Sequence, residues 1–99
     1  MKPVRFVESA REDVQREKSY YRKISPELAQ KFQNAVESAV EAAASQPLAM
    51  QILAHEVRRW PLETFPHGVL YRNEDEFILV LAVFHPKQAP GKWRELART

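Results

Sequence analysis

Eight consecutive apolar residues, Phe77, Ile78, Leu79, Val80, Leu81, Ala82, Val83 and Phe84, constrain this chain more than any other feature. A strand with one wet face alternates apolar and polar side chains, so a strand apolar at every position keeps both faces from water. The run predicts an interior strand covered on two sides. One cover needs a helical layer, and a chain of 99 residues leaves little for a second. The pattern therefore implies an apolar flank that something outside the domain covers.

The helical layer is written earlier in the chain. A short strand is expected over residues 3–7, where Val4, Phe6 and Val7 surround Arg5. Ser9 and Glu12 have the spacing of a capping box and predict a helix beginning at Ser9. Ala10, Val14, Tyr21 and Ile24 supply its thin inner stripe, while Asp13, Arg16, Glu17 and Arg22 are assigned to solvent. Ser25, Pro26 and Glu27 then restart a helix: the serine suits the cap, the proline the first turn, and the glutamate the dipole. Leu28, Phe32, Ala35, Val36, Ala39, Val40 and Ala43 recur at three- and four-residue spacing before Ser45, Gln46 and Pro47 end the helix. Residues 48–54 read as a connector, and the rest as three strands with breaks near residues 61–64 and 73–76. The expected fold is α+β, in the order β-α-α-β-β-β, with a helical hairpin packed on one face of a small antiparallel sheet. Residues 1–99 are expected to form a single domain.

Composition narrows the chemistry. The absence of cysteine removes disulfides, thiolate nucleophiles and cysteine-type zinc sites, and suits a reducing compartment. No apolar run is long enough to span a bilayer, and the amino terminus lacks the apolar centre of a signal peptide, so the expected location is cytoplasmic and away from membranes. A net charge of +2 is too small to make the whole surface a polyanion binder. The charge is uneven, however: beyond residue 84, Lys87, Lys92, Arg94 and Arg98 face Glu95 alone. Such a tail gains affinity for polyanions through counterion release, and it equally serves solubility.

Strand alternation places Glu56, Arg58 and Trp60 on one face and His55, Val57 and Arg59 on the other. Arg58, with less apolar neighbours, is the functional candidate; the structural alternative pairs both arginines with Glu56 or Glu63 at a sheet edge. Tyr71 reads as a core aromatic, and Arg72 follows it onto the opposite face. His85 stands where the apolar strand ends and could move a proton if a phosphate lay nearby, or simply make a turn. Lys87, Lys92, Trp93 and Arg94 could stack a base and hold phosphates; alternatively Trp93 and Leu96 pin a short terminal helix. There is no glycine-rich phosphate loop, HExxH motif or catalytic triad, and His55, His67 and His85 fall on separate segments. No metal and no cofactor are expected.

One ordered set of motifs carries more. Tyr20 and Tyr21 fall late in the first helix, then come Val57-Arg58-Arg59, Phe65-Pro66, Tyr71, His85-Pro86 and Pro90-Gly91-Lys92-Trp93-Arg94. Over nearly its whole length the chain resembles the RelE/ParE family, the plasmid-stabilisation toxins of type II toxin-antitoxin systems. The resemblance implies a growth-arresting toxin in a toxin-antitoxin hetero-oligomer, neutralised by a cognate antitoxin whose amphipathic segment covers exposed apolar surface. Its branches comprise ribosome-dependent mRNA endonucleases and poisons of DNA gyrase that need no catalytic residue. In a nuclease, Arg58, Arg72 and His85 would be catalytic; in either branch Arg59, Lys87, Lys92, Trp93 and Arg94 would contact the target or nucleic acid. Nuclease-type members usually carry an arginine where this chain has Gly68, and often a tyrosine near the end, which this chain lacks. The resemblance thus leans toward gyrase. A non-toxic binding module that kept the fold is the third reading.

Overall fold

The computed structural model describes residues 1–87 and 91–98, without the side chains of residues 91–93 and 96. The elements are β1 (Val4–Phe6), α1 (Glu8–Ile24), α2 (Pro26–Ser45), β2 (Ile52–Ala54), β3 (Val57–Pro61), β4 (Gly68–Asn73), β5 (Ile78–Phe84) and α3 (Gly91–Arg98). The strands form one sheet in the order β1-β5-β4-β3-β2. The apolar run therefore occupies an interior strand, as its composition demands.

The helical hairpin lies on one face of the sheet, as expected, and three details differ. β1 pairs with β5 in parallel, through Val4 with Ile78 and Phe6 with Val80, so the sheet is mixed. The long excursion through both helices makes that parallel return possible. The connector after α2 contains a further edge strand, β2, joined to β3 by a tight turn in which His55 and Glu56 both have positive φ. Those two residues are thus turn, not the start of an alternating strand. Finally, the domain covers the second face itself: Ala97 of α3 joins a buried cluster with Val57, Leu70, Leu81 and Ala82. An eight-residue helix suffices because the sheet is small.

A bulge sorts the apolar strand between its two covers. Leu70 pairs with Ala82 and Tyr71 with Val80, leaving Leu81 as the extra residue. Ile78, Val80 and Val83 consequently join the hairpin core with Phe32, Val36, Ala39 and Ala43. Leu81 and Ala82, though adjacent, both enter the α3 cluster.

The start of α1 is not the capping box. The Val7 amide donates to the Val80 carbonyl at 3.0 Å, and the Val7 carbonyl in turn accepts from the Ala10 and Arg11 amides. The chain turns from strand into helix two residues too early for Ser9 to cap it, and the buried Ser9 hydroxyl has no hydrogen-bond partner. The second cap forms as expected: Ser25 Oγ accepts from the Leu28 amide at 3.0 Å, with Pro26 in the first turn.

Candidate interaction surfaces and a buried histidine pair

Cross-strand register assigns each charged side chain to a face. Val57 pairs with Arg72, Arg59 with Leu70, and Arg72 with Leu79, so Arg59 and Arg72 share the α3 side with the Val57 and Leu70 cluster. Arg72 Nη1 donates to the Ala97 carbonyl at 2.9 Å, and its Nε contacts the Glu74 carboxylate. This guanidinium therefore ties β4 to α3. Arg59 Nη2 donates to the Pro66 carbonyl at 3.2 Å, and its side chain crosses Gly68 so closely that a Cβ there would lie 2.5 Å from Nε and 2.7 Å from Cγ. Glycine at 68 is what lets the arginine lie flat. Lys87 and Arg94 are exposed. Lys92 and Trp93 belong to α3, but their side chains, like Pro90, fall outside the described residues.

Arg58 is on the other side of the sheet. It pairs with Tyr71, whose ring is fully buried in the hairpin core. Arg58 Nη1 donates to the Met50 carbonyl, and Tyr71 Oη donates to the Pro47 carbonyl at 2.9 Å. Together they fasten the connector between α2 and β2. Burial pushes the Tyr71 phenol up, and the Arg58 charge opposes that more weakly.

A third cluster lies where β4 and β5 meet α1. Beyond Val80 the edge of β5 loses β1 as a neighbour, and Asp13 Oδ2 takes the Val83 amide at 3.1 Å instead. One turn further along α1, Glu17 Oε1 lies 2.6 Å from His67 Nε2. His67 is 1% exposed, and its Nδ1 has no hydrogen-bond partner. The ring is walled by Phe32 at 5.0 Å, Tyr21 at 6.3 Å and Phe65 at 6.5 Å between centroids, and His85 stands edge-on at 4.8 Å. Burial lowers the His67 pKa, Glu17 pulls it up through its hydrogen bond and charge, and His85 lowers it; the net direction is down. His85 itself accepts the Lys87 amide at Nδ1, at 3.0 Å.

Arg58, Arg72 and His85 are thus not gathered. Arg58 and Arg72 face opposite sides, and His85 follows the Phe84–Gly68 end of the sheet, four residues along β4 from Arg72 or roughly 13 Å. Arg59 does approach that end, through Pro66 and Gly68. The residues missed from sequence are Asp13 and Glu17, assigned to solvent, and His67, noted only as falling on a different segment from the other histidines. A signal existed for Glu17: positions 10, 14, 17 and 21 follow helical spacing, so the glutamate falls on the inner stripe. Ile24, assigned to that stripe, is the last residue of α1 and is 60% exposed. Nothing in the spacing joins His67 to His85. Among the described residues, no three His, Asp or Glu side chains gather as a metal site would require.

Among the described residues, an open groove and an exposed apolar edge stand out. A groove of about 580 Å³ between α1 and α2 is floored by Phe6, Val14, Val36 and Val40, with Arg11 from α1 and Glu37 from α2 beside it. At the β2 end, Leu48, Ile52 and Leu53 are exposed. Among the described residues, no helix is long and apolar enough to cross a membrane.

Comparison with known proteins adds three findings. A family model described as the ParE toxin of the type II toxin-antitoxin system parDE matches residues 4–90. A solved structure titled as the chromosomal ParDE TA system from P. aeruginosa is similar in fold, with a TM-score of 0.74 and 21% sequence identity over 86% of this chain and 96% of that one. No curated protein matches.

Proposed function

The chain belongs to the ParE toxin family of type II toxin-antitoxin systems, and from that premise we propose that it arrests bacterial growth by inhibiting DNA gyrase in the cytoplasm until a cognate antitoxin neutralises it. The observation that carries the choice of target is the scatter of the would-be nuclease residues. Cleaving RNA through a ribose 2′-hydroxyl needs a base, an acid and a phosphate-binding cation around one scissile group. Arg58 is committed to backbone carbonyls of the connector, Arg72 to α3 on the opposite face, and His85 to the far end of the sheet. A gyrase poison acts by binding and needs no such convergence.

On this reading Arg59, Lys87, Lys92, Trp93 and Arg94 make the target-binding side, because the first two lie toward the β5 end and the rest on α3. The antitoxin lays an amphipathic segment into the open α1–α2 groove and over the exposed Leu48, Ile52 and Leu53 edge.

Expression alone in a bacterium is expected to stop growth, and co-expression of the neighbouring gene to restore it. The purified chain is expected to inhibit gyrase supercoiling and to leave ribosome-bound message intact. Replacing Arg58, Arg72 and His85 together by alanine should spare supercoiling inhibition in whatever fraction remains folded. Message cleavage that disappears with those substitutions would transfer the chain to the nuclease branch.

A further inference from the structure

We infer that His67 is a proton-sensitive latch: its neutral ring holds the loop of residues 62–67 against α1, and taking up a proton releases that loop and uncovers the aromatic wall beneath. The inference does not depend on the toxin's target.

An ionised carboxylate only accepts, so the 2.6 Å contact with Glu17 requires the proton of the neutral ring to sit on Nε2. Nδ1 is then a bare acceptor with no partner. That is tolerable for a lone pair among aromatic rings. It is not tolerable for a second N–H, which would be buried without an acceptor in a side chain that reaches almost no water.

The groups facing the ring come from every element packed on it. α1 contributes Glu17 and the Tyr21 phenol, β5 contributes His85 just past its end, and α2 and the loop contribute the rings of Phe32 and Phe65. Glu17 is the one anion among them and its hydrogen bond is already made at Nε2, so it cannot serve Nδ1–H as well. His85 would add a like charge if it too were protonated.

The lowest-energy response to a proton is therefore to bring Nδ1 to water. His67 sits where the loop enters β4, its carbonyl held by the Leu62 amide at 3.0 Å and Thr64 at positive φ between them. Opening the loop between buried Leu62 and β4 carries Phe65 away from Tyr21 and Phe32 and releases the Arg59 hydrogen bond to the Pro66 carbonyl. The linkage sign follows. A histidine whose folded pKa is depressed binds its proton more readily when unfolded, so stability is whole above the unfolded pKa and is lost as pH falls through it toward the folded value.

Long-range ¹H–¹⁵N spectra of the full chain should show His67 as the Nε2–H tautomer near neutral pH, with a midpoint below the ordinary histidine value. Hydrogen exchange, corrected for its intrinsic pH dependence, should accelerate in residues 13–21 and 62–67 between about pH 7.5 and about pH 5.5 while α2 stays protected. His67→Phe should abolish that acceleration. If that variant does not fold, Glu17→Gln provides a second arm, keeping a hydrogen-bonding partner but removing the charge, and should lower the His67 midpoint further. A midpoint at or above the ordinary histidine value, acid loss without local opening, the same opening in His67→Phe, or a raised midpoint in Glu17→Gln would each overturn the latch.

Discussion

The two faces of the sheet are closed by different means. On one, helices of 17 and 20 residues lay a continuous apolar layer over Val69, Tyr71, Ile78, Val80 and Val83. On the other, a helix of eight residues covers a smaller cluster, Ala97 is its one described buried side chain, and two arginines lie across the strands. The first face has the extent of a core and the second that of a lid. Global stability should therefore reside on the hairpin side, and α3 should come away from the sheet at a lower cost than α2.

The severest trial of that contrast is Phe32→Ala. Phe32 is fully buried and touches Tyr21, Phe65 and His67, so its loss should destabilise the whole domain by about 3–5 kcal/mol, measured by urea unfolding. A shift well below that would deny the hairpin face its central role. Gly68→Ala ranks next, at about 1–3 kcal/mol, because the new methyl group meets the Arg59 side chain. The cause is checked by a double-mutant cycle: most of the penalty should vanish in an Arg59→Ala background.

Arg72→Ala sharpens the contrast from the lid side. It removes the hydrogen bond to the Ala97 carbonyl and should reduce stability by only about 1 kcal/mol. Its signature is local: hydrogen exchange should quicken in α3 and remain unchanged in α2. Equal acceleration in both would mean that the lid and the core unfold as one unit.

The hairpin face was legible in the sequence because long apolar periodicity is a local property. Phe32, Val36, Ala39, Val40 and Ala43 all lie where their spacing put them. The interior placement of β5 followed likewise from its composition. What escaped were features set by chain topology. The β1–β5 parallel pair and the β2 strand depend on where distant segments return, and no local pattern encodes that; a short terminal helix was one reading of the tail, but that it closes the second face of the sheet was not. The faces of Arg58 and Arg72 were separable by alternation once the strands were drawn, but the roles were not. Only three dimensions reveal that Arg58 is spent on connector carbonyls and that His67 meets both Glu17 and His85, from segments far apart in sequence. The capping box at Ser9 failed for a related reason: the Val7 bond to β5 sets the entry to α1 and overrides the local motif.

That failure yields the smallest effect and the most discriminating pair. Ser25 and Ser9 each precede or open a helix in the sequence, and each looks like a cap. Ser25→Ala removes a real acceptor from the Leu28 amide and should destabilise by about 1 kcal/mol. Ser9→Ala removes a buried hydroxyl that bonds nothing, so the change should be neutral or slightly stabilising, within about 0.5 kcal/mol. Paired urea titrations of the two variants read the difference directly. If Ser9→Ala proved as harmful as Ser25→Ala, α1 would start with a side-chain cap after all, and its entry would be governed by its own sequence and not by the strand it leaves.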